Sequence, residues 1–404
     1  MQLSLKQRLF YFFPTLFCFC LPFGSLILSG IIVLWFVTSL FNINKLDLKK
    51  GLKNKTVLFL FLFFLVTLIS ALFSTNKTSA VFEVESKLSF IVLPYLLFCF
   101  TIPIQIIKRC IVSFVSGCFF ACLFLIARAC FYAFNGQPDY FFYTQFSILI
   151  HASYFSMYLI LALVLVILFY KKWFQNQKSI VYSSYFFVLL FGVTIFLCAS
   201  KLGLISFIII LPILLMYKLK SILNFKKSII LIISLSVIII FSVKLFPTAF
   251  ERLQSIKALN INQLDKTSSE STTVRFLIWQ QALELIKHNF FNGVGVGDTN
   301  DTLYTAYQQN GLTGAFEHKL NAHNQFLQTF IGIGIIGFIS LFLITFWQAI
   351  KAVLHKHFLL FIFSLLIILN FLVESMLQTA TGTLFFVFFY CLFNITTKKQ
   401  LLDE

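Results

Sequence analysis

Runs of Phe, Leu, Ile and Val, each closed by a short basic or polar cluster, fill most of the chain. Apolar stretches lie near 9–22, 24–41, 56–73, 88–104, 111–134, 148–170, 179–199, 202–217, 228–246, 325–349, 358–374 and 379–395. Many reach or approach the ~18 residues that carry a helix across a hydrocarbon core. Their pattern does not alternate with period two, which argues against a membrane barrel. The expectation is an all-α polytopic membrane protein with about twelve transmembrane helices. Lys6 and Arg8 precede the first run, which is broken only at Pro22-Phe23-Gly24 and has no small-residue cleavage site. It reads as two tight helices, not a signal peptide.

One polar interruption stands out. Residues 247–324 separate helices nine and ten and hold Arg275, Trp279, His288, Gly293, Gly295, Gly297, Asp298, His318, His323 and Asn324. The chain thus divides into helices over 1–246, a catalytic loop over 247–324, and three helices with a tail over 325–404. Ser271, Thr272 and Thr273 supply a helix start, and Arg275, Trp279, Ala282, Leu283 and Ile286 follow at helical spacing. Arg275 and Trp279 therefore share a face. The glycine run after this helix is expected to form a tight turn; it follows a helix instead of a strand, so it is no dinucleotide fingerprint.

Composition sharpens the class. The chain is 59% hydrophobic with 56 Phe and only 11% charged residues. Its net charge of +17 is mostly topological: Lys and Arg crowd alternate loops, as cytoplasmic loops do. Loops near 23, 135–147 and 375–378 have neither. Both termini are expected in the cytoplasm and 247–324 outside. Positive and negative charges nearly balance in that external segment, which suits a small anionic group met by a few placed cations and excludes nucleic acid as a partner. The nine Cys lie in or beside apolar runs and suggest no disulfide framework. The three His of the loop lack metal-ligand spacing, so neither a metal nor another cofactor is expected. His288 and His318 read as solvated residues. His323 and Asn324 fall at the entry to helix ten, where an imidazole meets the membrane surface; helix capping explains the pair equally well.

The strings Val274-Arg275-Phe276-Leu277-Ile278-Trp279-Gln280-Gln281-Ala282-Leu283, Asn292-Gly293-Val294-Gly295-Val296-Gly297 and Ala322-His323-Asn324-Gln325-Phe326-Leu327 resemble the signature of the O-antigen ligase and polymerase superfamily. The similarity is strongest over 271–340. It implies a GT-C type membrane glycosyltransferase that takes a glycan from undecaprenyl diphosphate on the outer face of the bacterial inner membrane. Arg275 matches the family arginine at the donor diphosphate, and His323 the histidine proposed at the acceptor hydroxyl. Where the family carries Ser-Arg-Gly, this chain reads Ser200-Lys201-Leu202-Gly203, which keeps the charge of the diphosphate contact and loses the bidentate fork. Lys87 occupies a place where the family can present another such cation, although a flanking lysine that snorkels fits as well. Trp279, Asn324, His151 and Glu374 are candidates for the acceptor pocket; His151 also suits helix packing and Glu374 an interfacial role. Arg128 reads as structural or bound to lipid headgroups.

The chemistry agrees with these roles. A departing lipid diphosphate builds charge that fixed cations stabilise, and a sugar hydroxyl benefits from a base such as neutral His323. Attack opposite the leaving group gives inversion without a metal. Ligation of the glycan to lipid A-core is the first expectation. Polymerisation of lipid-linked repeats is the close alternative, protein O-glycosylation a third, and a twelve-helix polysaccharide transporter the least favoured, because the ionisable residues gather at the outer rim.

Overall fold

The structure is a computed structural model that describes residues 4–43, 46–174, 177–219, 266–267 and 272–396. In chain order its principal helices are α1 (Leu5–Cys20), α2 (Leu26–Leu40), α3 (Lys55–Phe73), α4 (Lys77–Ser86), α5 (Ser89–Phe98) and α6 (Ile104–Phe134). They continue with α7 (Ala152–Trp173), α8 (Lys178–Leu197), α9 (Lys201–Leu219), α10 (Thr272–His288), α11 (Thr299–Gln309), α12 (Gln325–Leu354), α13 (Phe358–Phe371) and α14 (Ala380–Ile395). No strand occurs among the described residues. Among the described residues five helices, α3, α6, α7, α9 and α12, are long and apolar enough to cross a membrane, and α2, α13, α14 and Tyr182–Leu197 of α8 are shorter apolar helices. The expected ninth helix, 228–246, lies outside the described residues, as does Ser271.

One expected span is shorter than its apolar run. The stretch 88–104 yields only the ten residues of α5; further on, Pro103 disfavours helical geometry at Ile102 and precedes the start of α6. Leu26, Phe73 and Phe134 stand almost fully exposed, which for apolar helix faces of this size marks a surface made for lipid.

The chain forms two compact units. Of the described residues, the first holds those up to 42 and from 102 to 219; the second holds those from 43 to 101 and from 266 to 396. In the first, α7 is the central element: every residue from Ala152 to Leu165 is buried, against α6, α8 and α9. Close approach of α9 to α7 depends on Gly203, where a Cβ would sit 2.4 Å from the Ser156 Cβ.

In the second unit α3 packs along α4, α5 and α12, and α5 lies on α14. The segment before α12 is a small helical body. Val274, Ile278, Ala282 and Ile286 of α10 meet Leu303 and Tyr307 of α11, Ala315 and Ile331 in one core. The sequence placed Leu283 on this stripe, yet it is 51% exposed. Leu277 and Ile278 take its place, since the buried arc is centred on α11 and the start of α12.

That body is pinned to a break in α12. Gly334 has φ 74 and ψ −163, which interrupts the helix. The carbonyls of Ile331 and Gly332 accept instead from Val294 N at 2.8 Å and Gly295 N at 3.0 Å, and Ile335 N donates to Phe290 O at 2.9 Å. A broken helix in an apolar setting is tolerated where protein groups satisfy the freed backbone. Gly293 and Gly295 have φ of 68 and 100, so the expected tight turn is present and also docks into the break. A Cβ on Gly293 would lie 2.6 Å from the Gly332 carbonyl. Gly293→Ala should therefore cost about 1–3 kcal/mol, read as a lower thermal midpoint of the detergent-purified protein.

The same loop is tied to the α3–α4 corner by Asp298, whose Oδ1 accepts from Asn76 N at 2.7 Å and Thr75 Oγ1 at 2.8 Å while Oδ2 accepts from Thr75 N at 2.7 Å. Burial works to raise its pKa, but these bonds from Asn76 and Thr75, with Lys77 nearby, outweigh it and hold the carboxyl below its ordinary range. A depressed folded value stabilises the fold above the ordinary carboxylate pKa, and that stability is lost as pH falls through the depressed value. Asp298→Asn should lose about 1–3 kcal/mol at neutral pH and show a shallower fall in thermal midpoint on acidification than the parent.

Candidate functional site

The start of α10 and the entry to α12 meet in the second unit. Arg275 and Trp279 lie one turn apart, and the Trp279 indole Nε1 donates to Ala322 O at 2.9 Å. This fixes the turn that presents the next residue. Ala322 N donates to Gln328 Oε1 at 2.9 Å, and His323 N to Asn321 Oδ1 at 2.9 Å. His323 itself has φ 43, a left-handed backbone that costs of order 1 kcal/mol or more and recurs where a side chain must be aimed. Asn324 then caps α12, accepting through Oδ1 from Phe326 N at 2.9 Å and Leu327 N at 3.1 Å. Its Nδ2 donates to Leu372 O at 3.0 Å, which ties the cap to the end of α13.

Beyond α13 the chain delivers Glu374, 7% exposed. Arg275 Nη2 donates to its Oε1 at 2.9 Å, and His323 Nδ1 stands 3.4 Å from its Oε2. One carboxylate thus joins the two residues that the sequence singled out most strongly, although 51 residues separate it from His323 and 99 from Arg275. A carboxylate at Nδ1 favours the tautomer with its proton there, which leaves the Nε2 lone pair to accept another. Arg275 keeps further N–H donors in its fork beyond the one given to Glu374. With about a quarter of its side chain exposed, as for His323, it remains open to a ligand. The arrangement can take a proton at one edge and hold an anion at the other.

A second layer supports the carboxylate-bearing loop. Gln325 Oε1 accepts from Leu377 N at 2.7 Å, and Gln378 Nε2 reaches Glu83 Oε2 at 3.4 Å. Glu83 also pairs with Lys87, which is 2% exposed at the junction of α4 and α5. Lys87 is therefore a buried, carboxylate-paired cation, not a snorkelling one. Neither Glu83 nor Gln325 was singled out from sequence; the available signal was a polar side chain at the edge of an apolar run, which burial makes costly unless it is bonded.

Lys201 and His151 belong to the first unit. Lys201 opens α9 directly after Ser200, whose Oγ donates to Ser153 Oγ at 3.1 Å and accepts from Gly203 N at 3.2 Å. His151 caps α7 through Nδ1, which accepts from Ser153 N at 3.4 Å. Its ring also lies edge-on to Tyr143 and Tyr154. His288 and His318 are exposed. Arg128 packs against the rings of Tyr132 and Tyr140 and donates to Gln145 O at 2.6 Å, a structural clamp. Among the described residues no three His, Cys, Asp or Glu side chains are gathered as a metal would require.

Residues 185–343 match the family model described as O-antigen ligase. No curated protein matches the sequence. The matched stretch contains Lys201, Arg275, Trp279, the glycine loop, His323 and the break in α12. Glu374, which joins Arg275 to His323, lies past its end. Over residues 185–343 this helical chain, with helices long and apolar enough to span a membrane, is thus similar to the O-antigen ligase family, whose members are glycosyltransferase-like membrane enzymes.

Proposed function

We propose that the protein transfers a glycan from undecaprenyl diphosphate to an acceptor hydroxyl on the outer face of the bacterial inner membrane, with lipid A-core as acceptor. The observation that carries this reading is the Glu374 carboxylate joining Arg275 at 2.9 Å and His323 at 3.4 Å. His323 Nε2 takes the proton of the acceptor hydroxyl as its oxygen bonds to the anomeric carbon. The carbon–oxygen bond to the diphosphate breaks, and undecaprenyl diphosphate leaves with the electron pair. Arg275 stabilises the charge that collects on it. Glu374 balances Arg275 in the resting site and the imidazolium formed during transfer, as an orienting carboxylate does in a catalytic triad. Attack from the face opposite the leaving group gives inversion, and no metal is required. Lys87, Lys201 and His151 enter this reading through the family resemblance, the lysines on the diphosphate side and His151 on the acceptor side. The segment 247–324 and the start of α12 face the periplasm, and both termini the cytoplasm.

Surface glycolipids of a deletion strain test the assignment. Lipid-linked polymer left unligated is the expected result. Single capped repeats would identify a polymerase instead, a reading the same family match accommodates. Transfer by the purified enzyme should persist in chelator; loss that a divalent ion restores would overturn the cation-only account. Orientation is checked by cysteine labelling in a background free of native cysteines. Asn310→Cys should react with an impermeant thiol reagent from outside, and Asn176→Cys should not.

A further inference from the structure

At the other end of α12, beyond the break at Gly334, the second unit holds two adjoining cavities that the proposed transfer does not use. The larger, about 430 Å³, is lined by Lys351, His355, His357, Asn394 and Thr396 among others. The smaller, about 160 Å³, shares Lys351 and His355 and adds Lys55, Thr56, Trp347 and Gln348. Among the described residues no Asp or Glu lines either one. Lys351 is held in place: its Nζ donates to Asn394 Oδ1 at 3.1 Å, and Thr56 Oγ1 donates to the same oxygen at 3.2 Å. His357 is already engaged, its Nδ1 accepting from Leu360 N at 3.2 Å and its Nε2 lying 3.1 Å from Thr396 O. It therefore forms part of the wall.

Two further observations mark a ligand site. Gln348 is 2% exposed, and its Nε2 has no acceptor among the described residues. A buried amide donor left unbonded costs about 1–3 kcal/mol, a deficit that an incoming acceptor oxygen removes. Directly before Gln348, Leu343–Trp347 forms a π-helical turn. Such bulges re-aim the side chains that follow them and recur at functional sites.

We propose that these joined cavities bind an anionic phosphoryl group, with Lys55 and Lys351 supplying charge and Gln348 Nε2 and His355 supplying hydrogen bonds. The volumes admit a phosphate and the glycerol beyond it, and basic pockets between membrane helices take such headgroups. The group comes from a membrane phospholipid or from free phosphate, and one experiment separates the two.

The full-length protein in detergent is titrated with phosphatidylglycerol, phosphatidylcholine or inorganic phosphate, and binding is read by native mass spectrometry and thermal midpoint. Phosphatidylglycerol should be retained and raise the midpoint, with phosphatidylcholine clearly weaker. Lys55→Met and Lys351→Met should each weaken retention by about fivefold, and Gln348→Leu should weaken it in the same direction. Lys351→Arg should bind as the parent does. Lys55 is exposed, so its variant carries the test even if Lys351→Met fails to fold. Protection by inorganic phosphate in the parent, lost in Lys55→Met, supports the site with free phosphate as its ligand. Equal retention of the two lipids with no response to phosphate, or retention unchanged in Lys55→Met and Gln348→Leu, would overturn the proposal.

Discussion

His323→Gln should lower transfer by about a hundred- to ten-thousandfold while the protein stays folded and inserted. Glutamine can bond to the acceptor hydroxyl, but it cannot take up its proton at neutral pH. The left-handed backbone at this position, φ 43, calls for a control that separates chemistry from strain. Asparagine adopts that conformation readily, so His323→Asn should keep the parent's thermal midpoint and be as inactive as His323→Gln. Glu374 provides the internal check. If it acts by holding Nδ1, Glu374→Gln should lose most activity in the parent and little more in the His323→Gln background, because residues that act as a unit are strongly non-additive. A His323→Gln enzyme as active as the parent in a quantitative transfer assay would reduce His323 to a positioning residue and remove the general-base step.

Arg275→Ala should lower turnover by about a hundred- to a thousandfold, the usual cost of removing one fixed donor from developing charge. Donor binding should weaken with it, whereas the His323 variants should bind donor normally. The structure adds a consequence that charge counting misses. Without Arg275, the Glu374 carboxylate, 7% exposed, loses the guanidinium 2.9 Å away, and removing one side of a buried ion pair is destabilising. Arg275→Ala should therefore also lower the thermal midpoint, and Glu374→Gln introduced into that variant should recover part of the loss. Arg275→Lys should restore some turnover but not all, since the ammonium cannot serve a carboxylate and a diphosphate through one planar fork. Donor affinity equal to the parent's in Arg275→Ala would place the diphosphate elsewhere.

Helical membrane architecture, the α10 helix and the pairing of Arg275 with His323 as residues of interest were legible in the sequence, because each rests on local spacing. Apolar run length sets a spanning helix, and one turn of helix aligns Arg275 with Trp279. What local spacing cannot encode is which distant polar groups close on one another. Glu374 read as an acceptor-pocket candidate or an interfacial carboxylate until α12 and α13 brought it between Arg275 and His323. Lys87 looked equally like a snorkelling lysine until Glu83 buried it. The break at Gly334 is likewise tertiary: Gly332, Gly334 and Gly337 sit within an unbroken apolar run. The helix opens there only because the backbone of Val294 and Gly295 arrives to take the freed carbonyls. Sequence determined which segments are helical and which side chains are chemically unusual. Only the tertiary structure decided their partners, since buried charges and opened backbones are stable only where another part of the chain completes them.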